Sequence, residues 1–291
     1  MNIIEVYRQF PTQDDCLYYL EKVRWNGKPY CPYCGSFSAT PVEKERRYHC
    51  NTCNTSFSVT VGTIFHKTKV DFQKWFLATS LILNAKKGIS ARQIARDIEV
   101  HRNTAWYMGM RIRRAMSEQQ SRQLLQGIVE MDETYVGGKP RKGGNDDTPR
   151  KRGRGTKKTP VVGMIERGGK VKAKVVGKEK LNGKGLSSLV REHIDLNNTV
   201  LITDEYRGYM GMSKMLPHQT INHQVWYTNG EIHTNSIESF WALLKRGIVG
   251  QFHKVSIRHL PKYIDEFCYR QNHREEDIFG LTISRALGVR T

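Results

Sequence analysis

Three acids and four cysteines are the residues of this 291-residue chain whose types and spacing point to chemistry. Asp132 stands in VEMDETYVGGK (129–139), Asp204 in VLITDEYRGY (200–209) and Glu238 in HTNSIESFWALLKRG (233–247). The first two segments have the apolar content of buried strands, and the third that of an amphipathic helix with Glu238 in its first turn. Alternation along a strand puts Glu130, Asp132 and Thr134 on one face and Met131, Glu133 and Tyr135 on the other. If Asp132, Asp204 and Glu238 converge, two of their carboxylates about 4 Å apart repel by roughly 4 kcal/mol at an effective dielectric of 20. A divalent cation offsets that repulsion while keeping the acids ionised, and hard oxygen ligands select Mg2+ or Mn2+. Such ions activate water and stabilise the leaving oxygen in phosphoryl transfer. Each acid also has an ordinary reading. Asp132 would pair with an arginine, Asp204 would cap a turn before Arg207, and Glu238 would complete a capping box with Asn235 as N-cap.

The cysteines Cys31, Cys34, Cys50 and Cys53 form a Cys-x2-Cys-x15-Cys-x2-Cys pattern. That spacing predicts a zinc ribbon, with each pair on a tight turn offering two thiolates to a tetrahedral Zn2+. So short a segment has little core of its own, so zinc supplies most of its stability. His49 is a competing ligand type, but four cysteines already complete the site. Cys16 and Cys268 are isolated and read as small buried hydrophobes.

The elements that must position these residues follow from periodicity. DFQKWFLATSLILNA (71–85) has apolar residues at helical spacing. Ser90 is an N-cap for a helix whose inner face carries Ile94 and Ile98. A break at Glu99–His101 precedes another helix carrying Thr104, Trp106, Tyr107, Arg111, Arg113 and Arg114. The pair predicts a helix-turn-helix with its second helix in the major groove; an ordinary helical hairpin is the alternative. From Gly127 onwards the pattern becomes strands at 127–138, 159–169, 170–178 and 199–209, with a helix in LNGKGLSSLVREHI (181–194). Strands followed by a helix and a further strand predict a mixed α/β sheet. The run 139–159 interrupts them with glycine, lysine and arginine and almost no apolar residue, and reads as a mobile loop.

A formal net charge of +19 calls for a polyanionic partner, most often nucleic acid. No apolar run is long enough to span a bilayer, and the N-terminus has acids and no apolar signal core, so the expected address is cytoplasmic.

The motifs CPYCGS with YHCNTC, FSVTVGTIFHKTK, VEMDETYVGGK, TDEYRGY and HTNSIESFWALLKRG occur in that order, followed by YIDEFCYRQNHR. Together they resemble the bacterial insertion-sequence DDE transposases that carry an N-terminal zinc ribbon. The resemblance implies an α/β fold: a zinc ribbon over 1–66, a helix-turn-helix region over 67–122, and a ribonuclease H-like mixed sheet flanked by helices over 123–291. It implies Asp132, Asp204 and Glu238 as the catalytic, magnesium- or manganese-binding acids. Members of the group vary at the third acid and some carry Asn there, which makes Asn235 the alternative. The 34 residues from Asp204 to Glu238 match the group's habit. Lys245 lies two helical turns beyond Glu238, where a basic residue touching the DNA end is expected.

Further expected DNA contacts are Arg246, then Arg111, Arg113 and Arg114 of the helix-turn-helix, and Arg150, Lys151, Arg152 and Arg154 of the basic loop. Double-stranded transposon ends and target DNA are the implied partners, held by at least a homodimer in the bacterial cytoplasm beside the nucleoid. The implied reaction is metal-dependent nicking at terminal inverted repeats, freeing 3′ hydroxyls that attack target DNA. A zinc-ribbon regulator without catalysis and a nuclease without strand transfer are the competing readings.

Replacing the lysines and arginines of 139–159 with serine should weaken DNA binding and flatten its salt dependence, because fewer counterions are released. The slope of log K against log salt, measured by anisotropy, checks this; an unchanged slope assigns the run to solvent alone.

Overall fold

A computed structural model describes residues 1–117, 123–137, 156–221 and 232–289. It divides into two compact units, Met1–Ser117 with His273–Thr291, and Glu118–Asn272.

The first unit opens with α1 (Ile3–Gln9) and α2 (Gln13–Trp25), which the apolar pattern did not announce. Each begins with a reciprocal capping box, Asn2 with Glu5 and Thr12 with Asp15, so the start signals were present in the sequence as N-x-x-E and T-x-x-D. A three-stranded antiparallel ribbon follows, β1 (Ala39–Val42), β2 (Arg47–Cys50) and β3 (Ser56–Phe57). Trp25 at the end of α2 meets the rings of Tyr48 and Phe57 edge-on. Arg24 donates to the carbonyls of Val59 and Val61 just beyond the ribbon. The ribbon is thus packed on a helix that the expected 1–66 module did not include as such.

Next come α3 (Phe72–Asn84), capped by Asp71, then α4 (Ala91–Asp97), capped by Ser90, and α5 (Arg102–Ala115), capped by His101. The turn between α4 and α5 uses Glu99 at φ 53°, the left-handed conformation, and gives the expected helix-turn-helix pairing. The last helix, α9 (Ile278–Ala286), belongs to this unit: Phe279 packs edge-on against Phe76 of α3, and Ile64 N–H donates to the Ala286 carbonyl. The span 123–291 expected for one domain therefore contributes its last helix to the first unit, a return of the chain that no local pattern records.

The second unit is a five-stranded sheet in the order β6-β5-β4-β7-β8. Its strands are β4 (Leu125–Val136), β5 (Thr159–Glu166), β6 (Val171–Val175), β7 (Ile194–Asp204) and β8 (His218–Ile221). β4, β5 and β6 are antiparallel neighbours; β4, β7 and β8 run parallel. With α6 (Gly183–His193) between β6 and β7, and α7 (Asn235–Gly250) and α8 (Leu260–Asn272) after β8, this is the ribonuclease H-like arrangement the sequence implied.

Both faces of the sheet are covered, as the buried central strand requires. On one face Val129, Met131, Val162 and Met164 pack with Leu186 and Val190 of α6 and with Tyr209 and Met212. On the other, Val161, Ile165 and Val171 pack with Ile237, Trp241 and Leu244 of α7 and Phe267 of α8. Gly163 decides how closely α7 approaches. It pairs with Asp132 across β4 and β5, and a Cβ built there would lie 2.5 Å from the Trp241 ring and 3.0 Å from Ile237 Cδ1.

Gly163→Ala should therefore destabilise the protein by about 1–3 kcal/mol, the cost of forcing a close-packed neighbour aside. Chemical denaturation checks the loss. Stability equal to the parent would mean that Trp241 does not need this slot.

Candidate metal and nucleic-acid sites

The cysteine pattern closes as its spacing demands. Cys31 and Cys34 sit on the turn before β1; Cys50 ends β2 and Cys53 follows it. The four Sγ atoms all lie within 4.8 Å of one another, with Cys31–Cys53 at 3.7 Å and Cys34–Cys50 at 3.6 Å. Zn–S bonds of about 2.3 Å in a tetrahedron require sulfur–sulfur edges of about 3.8 Å, so the quartet fits zinc. The backbone N–H groups of Cys53 and Thr52 pull the Cys50 thiol down to about 6, while desolvation and hydrogen bonds to its sulfur neighbours push Cys34 of the same quartet up to about 12. Cys16 and Cys268 are buried, as expected of small hydrophobes.

The acids separate into distinct environments. Asp132 is partly exposed on β4, facing α7, and its Oδ2 accepts a hydrogen bond from Trp241 Nε1 at 3.1 Å. Asp204 ends the neighbouring parallel strand, one step beyond the pairing of Met131 with Thr203. Its Oδ1 accepts from the Tyr206 backbone N–H, so it also makes the turn that its ordinary reading anticipated. Burial pushes the Asp132 carboxyl up to about 7, and the negative charges of Glu133, Asp204 and Glu238 add to the rise. Two strands and a helix bring mutually repelling acids within electrostatic reach, but among the described residues only the cysteine quartet has its ligand atoms all within 4.8 Å of one another, so the three carboxylates are not drawn together to that spacing.

Glu238 lies in the first turn of α7, but not in a capping box with Asn235. Asn235 is itself the first helical residue and Thr234 is the N-cap, with no side-chain cap bond. The Thr234 hydroxyl donates instead to Glu238 Oε1 at 3.1 Å. Asn235 Oδ1 is buried and has no hydrogen-bond partner among the described residues.

Glu130 and Glu133 take opposite faces, as strand alternation predicts. Glu133 accepts from the hydroxyl of the buried Tyr209 at 2.8 Å. Glu130 is fully buried. It receives Arg167 Nε at 2.8 Å and the backbone N–H groups of Ser236 and Ile237 at 2.8 and 3.0 Å. Sequence reasoning missed Arg167, Trp241 and Tyr209 as partners of the acids, since each meets its carboxylate only through tertiary packing.

The expected DNA-facing arginines divide in the same way. Arg114 is exposed, as are Trp106, Tyr107, Arg102 and Asn103 of α5. Arg113, in contrast, is only 3% exposed, lying over Gly109, and cannot reach a phosphate from there. The Arg111 guanidinium donates to the carbonyls of Ile64 and His66 and to the Tyr107 hydroxyl, and stacks over the Tyr107 ring at 4.4 Å. It ties the segment before α3 to α5. Beside it a cavity of about 310 Å³ has Lys67, Lys69, Thr104 and Tyr107 in its lining. Lys245 and Arg246 are exposed on α7. Arg150, Lys151, Arg152 and Arg154 lie outside the described residues, as does most of the basic run. Among the described residues no helix is long and apolar enough to cross a membrane.

Residues 11–56 match a transposase zinc-ribbon domain, and residues 124–272, just over half of the chain, match an ISXO2-like transposase domain. The second match ends where the sheet-bearing unit ends. The chain belongs to the ISXO2-like transposase family. It is 29% identical over 267 residues to a protein of Halobacterium salinarum described as an uncharacterized protein in transposable element ISH50, spanning 87% of this chain and 88% of that one. Among solved structures, a pre-cleavage Mos1 transpososome is 14% identical with a TM-score of 0.28, covering 72% of this chain and 77% of that chain. A Mos1 transposase paired-end complex with the left transposon end is 13% identical with a TM-score of 0.29, covering 72% and 78%. Likeness at that level carries no argument about this chain.

Removal of zinc by a strong chelator should unfold the ribbon while the sheet of the second unit persists. Proteolysis of the chelated protein checks this, with cuts expected within 25–66. Loss of far-UV ellipticity across the whole protein would contradict it.

Proposed function

We propose that the protein cuts DNA at the ends of an insertion sequence and joins the freed 3′ hydroxyls to target DNA, with Asp132, Asp204 and Glu238 as its catalytic acids. The observation that supports this best is the elevation of Asp132 by burial and by the charges of acids from a neighbouring strand and a helix. Carboxylates that repel one another suit a divalent ion that would draw them together, and Asp132, Asp204 and Glu238 are the residues that would hold it. Mg2+ or Mn2+ bound there supplies an activated water and charge stabilisation at the leaving oxygen.

The chain's own groups have separate tasks. Trp241 holds the Asp132 carboxylate in one orientation, and Thr234 holds that of Glu238. Lys245 and Arg246 are exposed on the same helix two turns on and would grip the phosphates of the DNA end. Arg114 and the exposed aromatic and polar residues of α5 would meet the terminal repeat. Asn235 is the alternative third ligand, its buried Oδ1, without a hydrogen-bond partner among the described residues, being a suitable oxygen. Holding two ends together calls for at least two copies of the chain.

Asp132→Ala, Asp204→Ala and Glu238→Ala should each lower end cleavage by roughly 10³-fold or more, as for members of a catalytic unit. End binding should be retained. Labelled DNA bearing the element's ends, assayed with Mg2+, Mn2+ or EDTA, checks both. Cleavage lost in Asn235→Ala but kept in Glu238→Ala would move the third ligand to Asn235. Tight end binding by the parent protein without cleavage under any metal would make it a regulator.

A further inference from the structure

We infer that Glu130 is the positioning residue of the active site, the fixed anion that sets where α7 begins and thereby where Glu238 stands. The inference rests on the reading of Glu238 as a metal-holding acid.

A helix start exposes backbone N–H groups that need acceptors, and a side chain just before the helix normally provides one. Here Thr234, a residue type suited to that task, turns its hydroxyl to Glu238 instead. The Asn235 N–H reaches the local His233 Nδ1 at 3.4 Å, but the acceptor for the next two N–H groups comes from β4. Glu130 Oε2 accepts from the Ser236 and Ile237 N–H groups, and Oε1 accepts from the Ser236 hydroxyl at 3.1 Å and from Arg167 Nε. His233 Nδ1 stands 3.3 Å from Oε1, and Arg167 Nη2 also donates to the His233 carbonyl at 3.0 Å. A carboxylate offers about four lone-pair directions, enough for the four donors from Arg167, Ser236 and Ile237, and its charge suits both a helix N-terminus and a guanidinium.

A second attachment lies further along the same two elements, from Asp132 to Trp241. Glu130 and Asp132 are two strand residues apart, about 6.7 Å. Ile237 and Trp241 are four helical residues apart, about 6 Å. The spacings match, so the two attachments hold α7 alongside β4 and fix both its rotation and its axial position. Glu238, the residue after Ile237, stands between them. Without Glu130 the helix pivots about Trp241 and its N-terminal turn, with Glu238, is free to shift.

Glu130→Gln keeps the side-chain size but turns an amide N–H2 toward donors. The test is Mn2+ affinity by calorimetry on the full chain without DNA, alongside end binding, thermal melting and cleavage, for the parent, Glu130→Gln and Glu238→Gln. Glu130→Gln should bind Mn2+ about 10–100-fold more weakly, the usual loss when a residue that orients a ligand is changed. It should bind DNA ends as the parent does and recover cleavage at high Mn2+. Parent-like Mn2+ affinity in Glu130→Gln, with affinity lost in Glu238→Gln, overturns the inference alone, even if the variant melts earlier. Parent-like Mn2+ binding and cleavage in Glu238→Gln removes the reading of Glu238 and the inference with it. Should Glu130→Gln fail to fold, Ser236→Ala removes one donor and should weaken Mn2+ about 2–10-fold, the equivalent of one hydrogen bond; no change there overturns the inference too.

Discussion

A carboxylate with no exposure, in the central strand of a sheet, is tolerable only if its charge and its acceptor positions are all met. Glu130 meets that condition with one guanidinium, one hydroxyl and two backbone N–H groups, and in doing so it ties three separate parts of the second unit together. The strand cannot bury this residue unless α7 starts where it does and Arg167 stands at the end of β5. Removal of one side of such a buried arrangement leaves the other uncompensated, which is why the pairing constrains the fold more than it stabilises it.

The remaining acids follow from that frame. Three acids in four residues of β4 would be destabilising if they shared one environment. Alternation sends Glu133 to Tyr209 on one face and leaves Glu130 and Asp132 on the other, where they differ in what meets them. Glu130 is neutralised by protein. Asp132 has the Trp241 N–H but no cation among the partners described for it, and it stands within reach of the charges of Asp204 and Glu238, so burial and repulsion both raise it. One strand thus holds an acid met on all sides by protein donors next to an acid raised by burial and by its neighbours' charges. Gly163 makes the second arrangement possible by leaving room for the indole that orients Asp132.

The first unit solves a different problem, the small core of its ribbon. The cysteine quartet closes one end, and the aromatic group of Trp25, Tyr48 and Phe57 packs the ribbon on α2. Its positive charge is not all turned outward. Arg24 and Arg111 donate to backbone carbonyls, and Arg113 is buried, so an arginine on a helix-turn-helix is not by that fact a DNA contact.

Local signals sufficed for much of this. The cysteine spacing determined the metal quartet, because two tight turns and a fixed linker leave few other geometries. Ser90, the break at Glu99 and the apolar periodicity determined the helix-turn-helix, and strand patterning determined the order of β4 to β7. Alternation alone separated Glu133 from Glu130 and Asp132. What the chain could not reveal locally were pairings between residues far apart in sequence: Glu130 with the start of α7, Trp241 with Asp132 over Gly163, and α9 with the N-terminal unit. The capping-box reading of Asn235 failed for the same reason, since an acceptor some hundred residues upstream replaced the local one. Sequence determined which acids and cysteines lie on which elements; tertiary structure decided which acid is met by protein donors and which is raised by burial and its neighbours' charges, because that depends on what packing brings to each carboxylate.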